Sequence, residues 1–371
     1  MPANKPPFDG EWVKLNQLCT KGKSALRQKD LIDDGPYAVY GASGIVGSMA
    51  TFQNGARYVA VVKDGAGVGR ANLCSARTSV LGTMQALIPT EMVLPEYLLH
   101  LIRAMRLGDG FSGSTIPHIY FKDYGQRLVR YVSMADQERI VGMLGSIEDQ
   151  IDILNQRNER LDTLVKSRFV EMFEGDDCIQ TTMGQLVSGI VAGTNVGGQQ
   201  RSIGEGEYAV LKISAVTKGV FDSNQYKVVE DVSSIKMIHP RKGDLLFSRA
   251  NTSEMIGATA LVDRDYDRLF LPDKLWRIEP AEGVNSIFLK ALLSSSRVRA
   301  EMSKVSTGSS GSMQNISMAK FRNLPGIIPP LALQQEFADF VRQVDKSRFI
   351  VQQKIEKLQM LYNSLAQEYF G

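Results

Sequence analysis

Two long stretches of the chain place apolar residues at alternating spacings of four and three. The first runs Ile140, Leu144, Ile147, Ile151, Leu154, Asn158, Leu161, Val165, Arg168 and Met172. This is the heptad pattern of a helix with one continuous seam. Adding 197 to each number gives Phe337, Val341, Val344, Arg348, Val351, Ile355, Leu358, Tyr362, Leu365 and Tyr369, of which only Arg348 is charged. The flanks repeat with the seam: Gln137 matches Gln334, Ile119 matches Ile316, Tyr124 matches Phe321 and Phe173 matches Phe370. Two unrelated helices rarely share phase, length and flanks, so the chain contains an internal repeat. Each seam spans roughly 50 Å at 1.5 Å per residue, longer than an ordinary globular helix. Such a stripe must be covered, and the other copy is the natural cover. Asn158 and Arg348 interrupt the seams, either as a polar layer that fixes register or as a locally solvated break.

Between the helical patterns the period changes. Tyr37–Tyr40, Tyr58–Val62, Ser79–Leu81 and Met84–Ile88 read as short strands broken by glycine turns, and Pro95–Met105 as a helix. Tyr208–Ile213, Gly257–Val262 and Leu275–Ile278 read as strands in the second half, with a helix at Asn285–Ser295. The chain is therefore of α/β (α+β) class, with a pseudo-two-fold internal repeat. Mixed blocks are expected at residues 1–134 and 175–331, and long helices at 135–174 and 332–371. Trp12 and Trp276 are expected in the core rather than as stacking platforms.

Length and composition agree with two domains. The 371 residues are 43% hydrophobic and 22% charged, enough for a core in each half. The net charge of +3 is too mild to prove a nucleic-acid partner by itself. Its distribution says more: residues 1–134 hold 15 basic against 10 acidic side chains, whereas 135–174 hold 5 against 9. A polyanion would prefer the blocks, and the helices suit each other and protein partners. Three cysteines and three histidines cannot build a zinc finger, and the odd cysteine count argues against a secreted disulfide framework. The polar, proline-rich start is no signal peptide and no apolar run is long enough for a membrane span, so a cytoplasmic setting is expected.

Enzyme motifs fail on inspection. Gly65-Ala66-Gly67-Val68-Gly69-Arg70 has arginine where the dinucleotide fingerprint needs its third glycine. Lys5-Pro6-Pro7-Phe8 has lysine where the catalytic tetrapeptide of amino-methyltransferases needs an amino-hydrogen acceptor. There is no Walker loop and no Ser-His-Asp pattern.

The segments Tyr40-Gly41-Ala42-Ser43-Gly44-Ile45-Val46-Gly47 and Lys63-Asp64-Gly65-Ala66-Gly67 in the first block carry a family likeness. So do Leu211-Lys212-Ile213-Ser214, Gly243-Asp244-Leu245-Leu246-Phe247-Ser248-Arg249 and Pro272-Asp273-Lys274-Leu275 in the second, with the hinge Pro329-Pro330 before the last helix. In this order, and duplicated, the chain resembles the specificity subunit of type I restriction-modification systems over nearly its whole length. It departs from the pattern at the first hinge, where Ser133-Met134 replaces the proline pair. The resemblance implies two target recognition domains separated by two long helices packed as an antiparallel coiled coil. Each domain would read half of a split double-stranded DNA site. It implies no catalysis and no bound cofactor in this chain. It implies as partners two modification methyltransferase subunits, carrying S-adenosylmethionine, and restriction subunits, using ATP and Mg.

On that footing Leu144, Ile147, Ile151, Leu154, Asn158, Leu161, Val341, Val344, Arg348, Val351, Ile355 and Leu358 are the expected coiled-coil interface. Base edges specify and phosphates position. Arg249, Asn251 and Thr252 are candidates for base readout, with Lys212, Ser214 and Lys274 for bases or phosphates. Tyr40, Ser43, Lys63 and Arg70 are the candidates in the first block. Ser114, Thr115, Ser309 and Ser310 lie in glycine-serine loops that could bring backbone amides to phosphate. The competing reading for each is a solvated turn satisfying itself. For the whole chain it is a coiled-coil scaffold whose blocks bind protein or glycan.

Overall fold

The computed structural model describes residues 8–112, 117–175, 178–308 and 313–371. In chain order the first half contains β1 (Gly10–Lys14), α1 (Leu15–Leu18), β2 (Cys19–Lys21), β3 (Tyr37–Gly41), β4 (Gly44–Met49), β5 (Tyr58–Val62), β6 (Ala71–Cys74), β7 (Ser79–Val80), β8 (Met84–Pro89), α2 (Pro95–Ala104), α3 (Phe121–Tyr124), β9 (Leu128–Val132) and α4 (Met134–Phe173). The second contains β10 (Ile179–Thr182), α5 (Met183–Leu186), β11 (Val187–Ala192), β12 (Tyr208–Leu211), β13 (Tyr226–Val229), β14 (Leu245–Ser248), β15 (Ala250–Asn251), β16 (Thr259–Leu261), β17 (Leu269–Phe270), β18 (Leu275–Pro280), α6 (Ser286–Ser294), α7 (Ser296–Val305), β19 (Gln314–Asn315), α8 (Met318–Arg322), β20 (Pro325–Ile328) and α9 (Leu331–Phe370). The chain divides into two compact units, one reaching to Arg157 and including Val351–Gly371, the other Asn158–Ile350.

In the first unit a four-stranded sheet has the order β2-β8-β5-β6 and a three-stranded sheet the order β4-β3-β7. The run Tyr58-Val59-Ala60-Val61-Val62 is buried at every position because both faces of β5 are covered. α2 lays Tyr97, Leu98, Leu101 and Ile102 against this core. A ribbon of β1 and β9 leads into α4. One face of that ribbon is open, and Trp12 on it is 55% exposed. The core position expected for Trp12 is thus corrected: a two-stranded ribbon has only one face to bury.

The second unit repeats this topology with different residues. Its sheets are β11-β18-β14-β16 and β13-β12-β17, and the β10–β20 ribbon replaces β1–β9. Even a parallel strand pairing recurs, β3 with β7 and β12 with β17. Here Trp276 is buried, stacked on Phe247 at 5.7 Å. α6 begins at Asn285, whose Oδ1 accepts from the Ile287 and Phe288 amides. A second helix, α7, follows it, where the first unit has only a single 3-10 turn at Leu107–Gly110 after α2.

α4 and α9 are 40 residues each, and their ends differ by the same 197 positions as the seam. In the first unit the start of α4 meets the end of α9: Ile140, Leu144 and Ile147 share a core with Tyr362, Ala366, Tyr369 and Phe370. In the second the end of α4 meets the start of α9. There Phe173 contacts Phe337 at 5.4 Å and Phe288 of α6 at 4.9 Å. The helices are antiparallel in both. Leu144, Ile147, Val341, Val344 and Val351 are buried, while Ile151, Leu154, Asn158, Leu161, Arg348, Ile355 and Leu358 are half-buried. Arg348 bridges Asp162 of α4 at 2.5 Å and Asp345 of its own helix at 2.6 Å. That is a polar layer, whereas Asn158 keeps a buried Oδ1 with no partner.

The repeat extends to buried glutamines. Gln137 accepts from the Leu94 amide at 2.9 Å and donates to the Met92 and Val132 carbonyls. Gln334 accepts from the Asn285 amide at 2.8 Å and donates to the Gly283 and Pro329 carbonyls. Each fastens the root of a long helix to the N-terminus of the short helix packed beside it, satisfying backbone groups that burial would leave unpaired.

Candidate nucleic-acid interface

In each unit the strand directions bring the candidate side chains to one end of the sheets. Lys63 follows the last residue of β5, Arg70 precedes its partner strand β6, and Tyr40 and Ser43 close the β3–β4 hairpin. The hairpin end is tied to the residue that follows β7 through the bond from the Leu81 amide to the Tyr40 carbonyl, 2.9 Å. In the second unit Arg249 follows β14, Lys274 precedes β18, Lys212 and Ser214 follow β12, and Asn251 and Thr252 open the turn to β16.

Four backbone bonds at this end are duplicated. The Lys63 amide donates to the Thr83 carbonyl at 3.0 Å, and the Arg249 amide to the Lys274 carbonyl at 3.1 Å. The Lys63 carbonyl accepts from Ile119 at 3.0 Å, and the Arg249 carbonyl from Ile316 at 2.9 Å. Ser112 and His118 exchange two backbone bonds, as do Thr307 and Asn315. Lys63 and Arg249 thus hold the same place in their units, at a mouth formed by a strand end and the returning end of a glycine-serine loop. Neither relation is visible by aligning the blocks, whose residues differ.

The side chains at the mouths are only partly committed. Arg249 is held by Asp273, through Nε to the carbonyl at 3.1 Å and Nη2 to the carboxylate at 3.6 Å, and lies over the Trp276 ring. Lys212 Nζ reaches Gln200 at 3.2 Å, and Ser214 donates to Gln225 at 2.8 Å. Asn251 Oδ1 accepts from the Thr252 amide, while its Nδ2 is buried with no partner. Thr252 and Ser43 are exposed, and Tyr40 and Lys274 half-buried. Arg70 folds back onto the Gly67 carbonyl at 3.3 Å. Ser114, Thr115, Ser309 and Ser310 lie outside the described residues.

The glycines that mimic a dinucleotide fingerprint have a local reason. Gly65, Gly67 and Gly69 have φ of +87°, +88° and +85°, a region that side chains disfavour, and a Cβ on Gly69 would meet the Gly108 backbone. They make a tight β5–β6 turn.

Several mouth residues carry no motif. His118 Nδ1 lies 2.6 Å from Asp64 Oδ1 in the first unit. Tyr120 and Phe111 expose aromatic rings nearby in sequence, each at 49%. Gln314 and Asn315 form β19 in the second unit, paired with β15. The offset of 197 links His118 to Asn315 and was the available signal. Among the described residues no three His, Cys, Asp or Glu side chains group as a metal site, and no helix is long and apolar enough to cross a membrane.

Two α/β units of like topology, each holding parts of both long helices side by side, make a fold also found in solved type I restriction-modification subunits. The chain has the fold of the S subunit of a type I restriction-modification system from M. genitalium, with a TM-score of 0.56 and 13% identity over 100% of this chain and 98% of that one. A chain solved in work on complex assembly and conformational transition of the type I R-M system gives a TM-score of 0.52 at 14% identity, over 99% of both chains. Residues 200–360 match the family described as Type I restriction modification DNA specificity domain. Over 158 residues the chain is 23% identical to the Type I restriction enzyme EcoEI specificity subunit of Escherichia coli. That match spans 41% of this chain and only 26% of the relative. The resemblance drawn from the residues is thereby borne out.

Proposed function

We propose that the chain is the sequence-reading subunit of a type I restriction-modification complex. Each unit reads one half of a bipartite duplex site through its mouth. The observation that carries this reading is the duplicated backbone frame, with Lys63 and Arg249 at one place and different neighbours around each. A fixed frame with variable side chains is what two independent readers of base edges require. Lys63, Arg70, Lys212 and Lys274 supply phosphate contacts. Arg249 and Asn251 supply base contacts of the guanine- and adenine-reading kinds. The subunit is non-catalytic and cytoplasmic. It recruits two modification subunits, which bring S-adenosylmethionine, and restriction subunits, which bring ATP and Mg.

Methylome sequencing with and without the gene tests this. A split methylated motif that disappears with the gene supports the reading, and an unchanged methylome overturns it. Binding of DNA by the assembled complex weakens as salt rises, through counterion release. Salt-insensitive assembly indifferent to DNA would instead identify a scaffold.

A further inference from the structure

Asp64 and His118 stand at the first mouth in a geometry the second mouth lacks. Asp64 and His118 form an isolated bridge in the first unit, and Ala250 and Asn315 pair at the same place in the second. The carboxylate and the imidazole are therefore a paired feature of one reader only. Their side chains are 29% and 35% exposed, anchored yet open to solvent.

The chemistry of the pair fixes what it presents. An ionised carboxylate only accepts hydrogen bonds, so His118 Nδ1, 2.6 Å from Asp64 Oδ1, carries the proton. In the neutral ring Nε2 then holds a lone pair. Among the described residues nothing hydrogen-bonds to Nε2. Tyr120 stacks beside the ring, with centroids 6.3 Å apart and 15° between planes. Lys122 Nζ in turn lies 5.5 Å from the centre of the Tyr120 ring. The segment bearing His118 is pinned by the bond from Ile119 to the carbonyl of Lys63, the residue before Asp64. A positive side chain suited to phosphate and an oriented acceptor thus sit side by side.

We infer that Asp64 and His118 form a base-reading pair of the first recognition domain. His118 Nε2 accepts a hydrogen bond from the amino group of a base edge in the major groove, that of adenine N6 or cytosine N4. Asp64 acts as the positioning residue. The inference rests on the DNA-reading function proposed above.

The test is selection from random-sequence duplexes by the full chain assembled with its modification subunits, as wild type, His118→Phe and Asp64→Asn. The wild type should prefer an amino-bearing base at one position of one half-site by about ten- to a hundredfold. His118→Phe, which keeps a ring and removes the acceptor, should abolish that preference and leave the other half-site unchanged. Asp64→Asn, which keeps the imidazole and frees its tautomer, should weaken it. Three outcomes overturn the inference. Both variants could keep the full preference, Asp64→Asn alone could keep it, or both half-sites could degrade together as a folding role would require. A wild-type complex that selects no sequence at all would instead remove the DNA-reading function itself.

Discussion

At the scale of single residues, burial decides which polar groups titrate abnormally. His100 on α2 is 3% exposed, with Nδ1 2.8 Å from the Tyr362 hydroxyl of α9. Burial first, and Arg103 second, lower its pKa from 6.5 to about 4, with Glu96 opposing. The folded ring is therefore neutral where the unfolded ring already binds a proton. Stability from this group is complete above pH 6.5 and is lost as pH falls toward 4, by up to about 3 kcal/mol. Glu148 of α4, which pairs with Arg103 at 2.5 Å, works in the opposite sense. Burial raises its pKa, so its protonation in acid offsets part of the loss. Urea unfolding between pH 7 and 4.5 should show a steeper fall for wild type than for His100→Gln. Parallel curves would mean that His100 is not the group refusing the proton.

At the scale of elements, the long helices are held by a few fully buried positions, with charge spanning the rest. Leu144 has no exposed surface, so Leu144→Ala should cost about 2–5 kcal/mol in chemical unfolding. Arg348 contrasts with it. Its ion pairs offset desolvation, and its Nε is buried without a partner. Its partners Asp162 and Asp345 are 62% and 55% exposed and return to water when it is removed. Arg348→Leu should therefore change stability by less than about 1 kcal/mol. A loss as large as that of Leu144→Ala would show that the polar layer, not the apolar seam, carries the pairing. The helices were legible in the sequence because a heptad leaves a periodic trace over forty positions. The sheets were legible only as a style. Their shared topology is written in hydrogen bonds of the main chain, which different side chains can support, so Lys63 and Arg249 gave no sign of being counterparts. Trp12 was misplaced because periodicity does not tell a ribbon with an open face from a covered sheet. His118 lay beside a glycine-serine loop in the sequence, but its pairing with Asp64, 54 positions away, is a product of the fold.

At the scale of the whole molecule, the repeat separates what is common from what is particular. The helices and their glutamine fasteners are the same in both halves, and the mouths differ. Every partner found for Lys63 and its neighbours lies in the first unit, and every partner of Arg249 lies in the second. Substitutions at sites that share no partners add in free energy within about 0.5 kcal/mol. Lys63→Ala, Arg249→Ala and the double variant should therefore form an additive cycle in DNA binding by the assembled complex at fixed salt. The singles should also differ in kind. Lys63→Ala should lower affinity for all sequences and reduce the salt slope by about one unit, as loss of a phosphate contact does. On the function proposed above, Arg249→Ala should relax preference at one position of one half-site, as loss of a base contact does. A coupling above about 1 kcal/mol between the two would mean that both side chains engage the same stretch of duplex, which two separate readers cannot do.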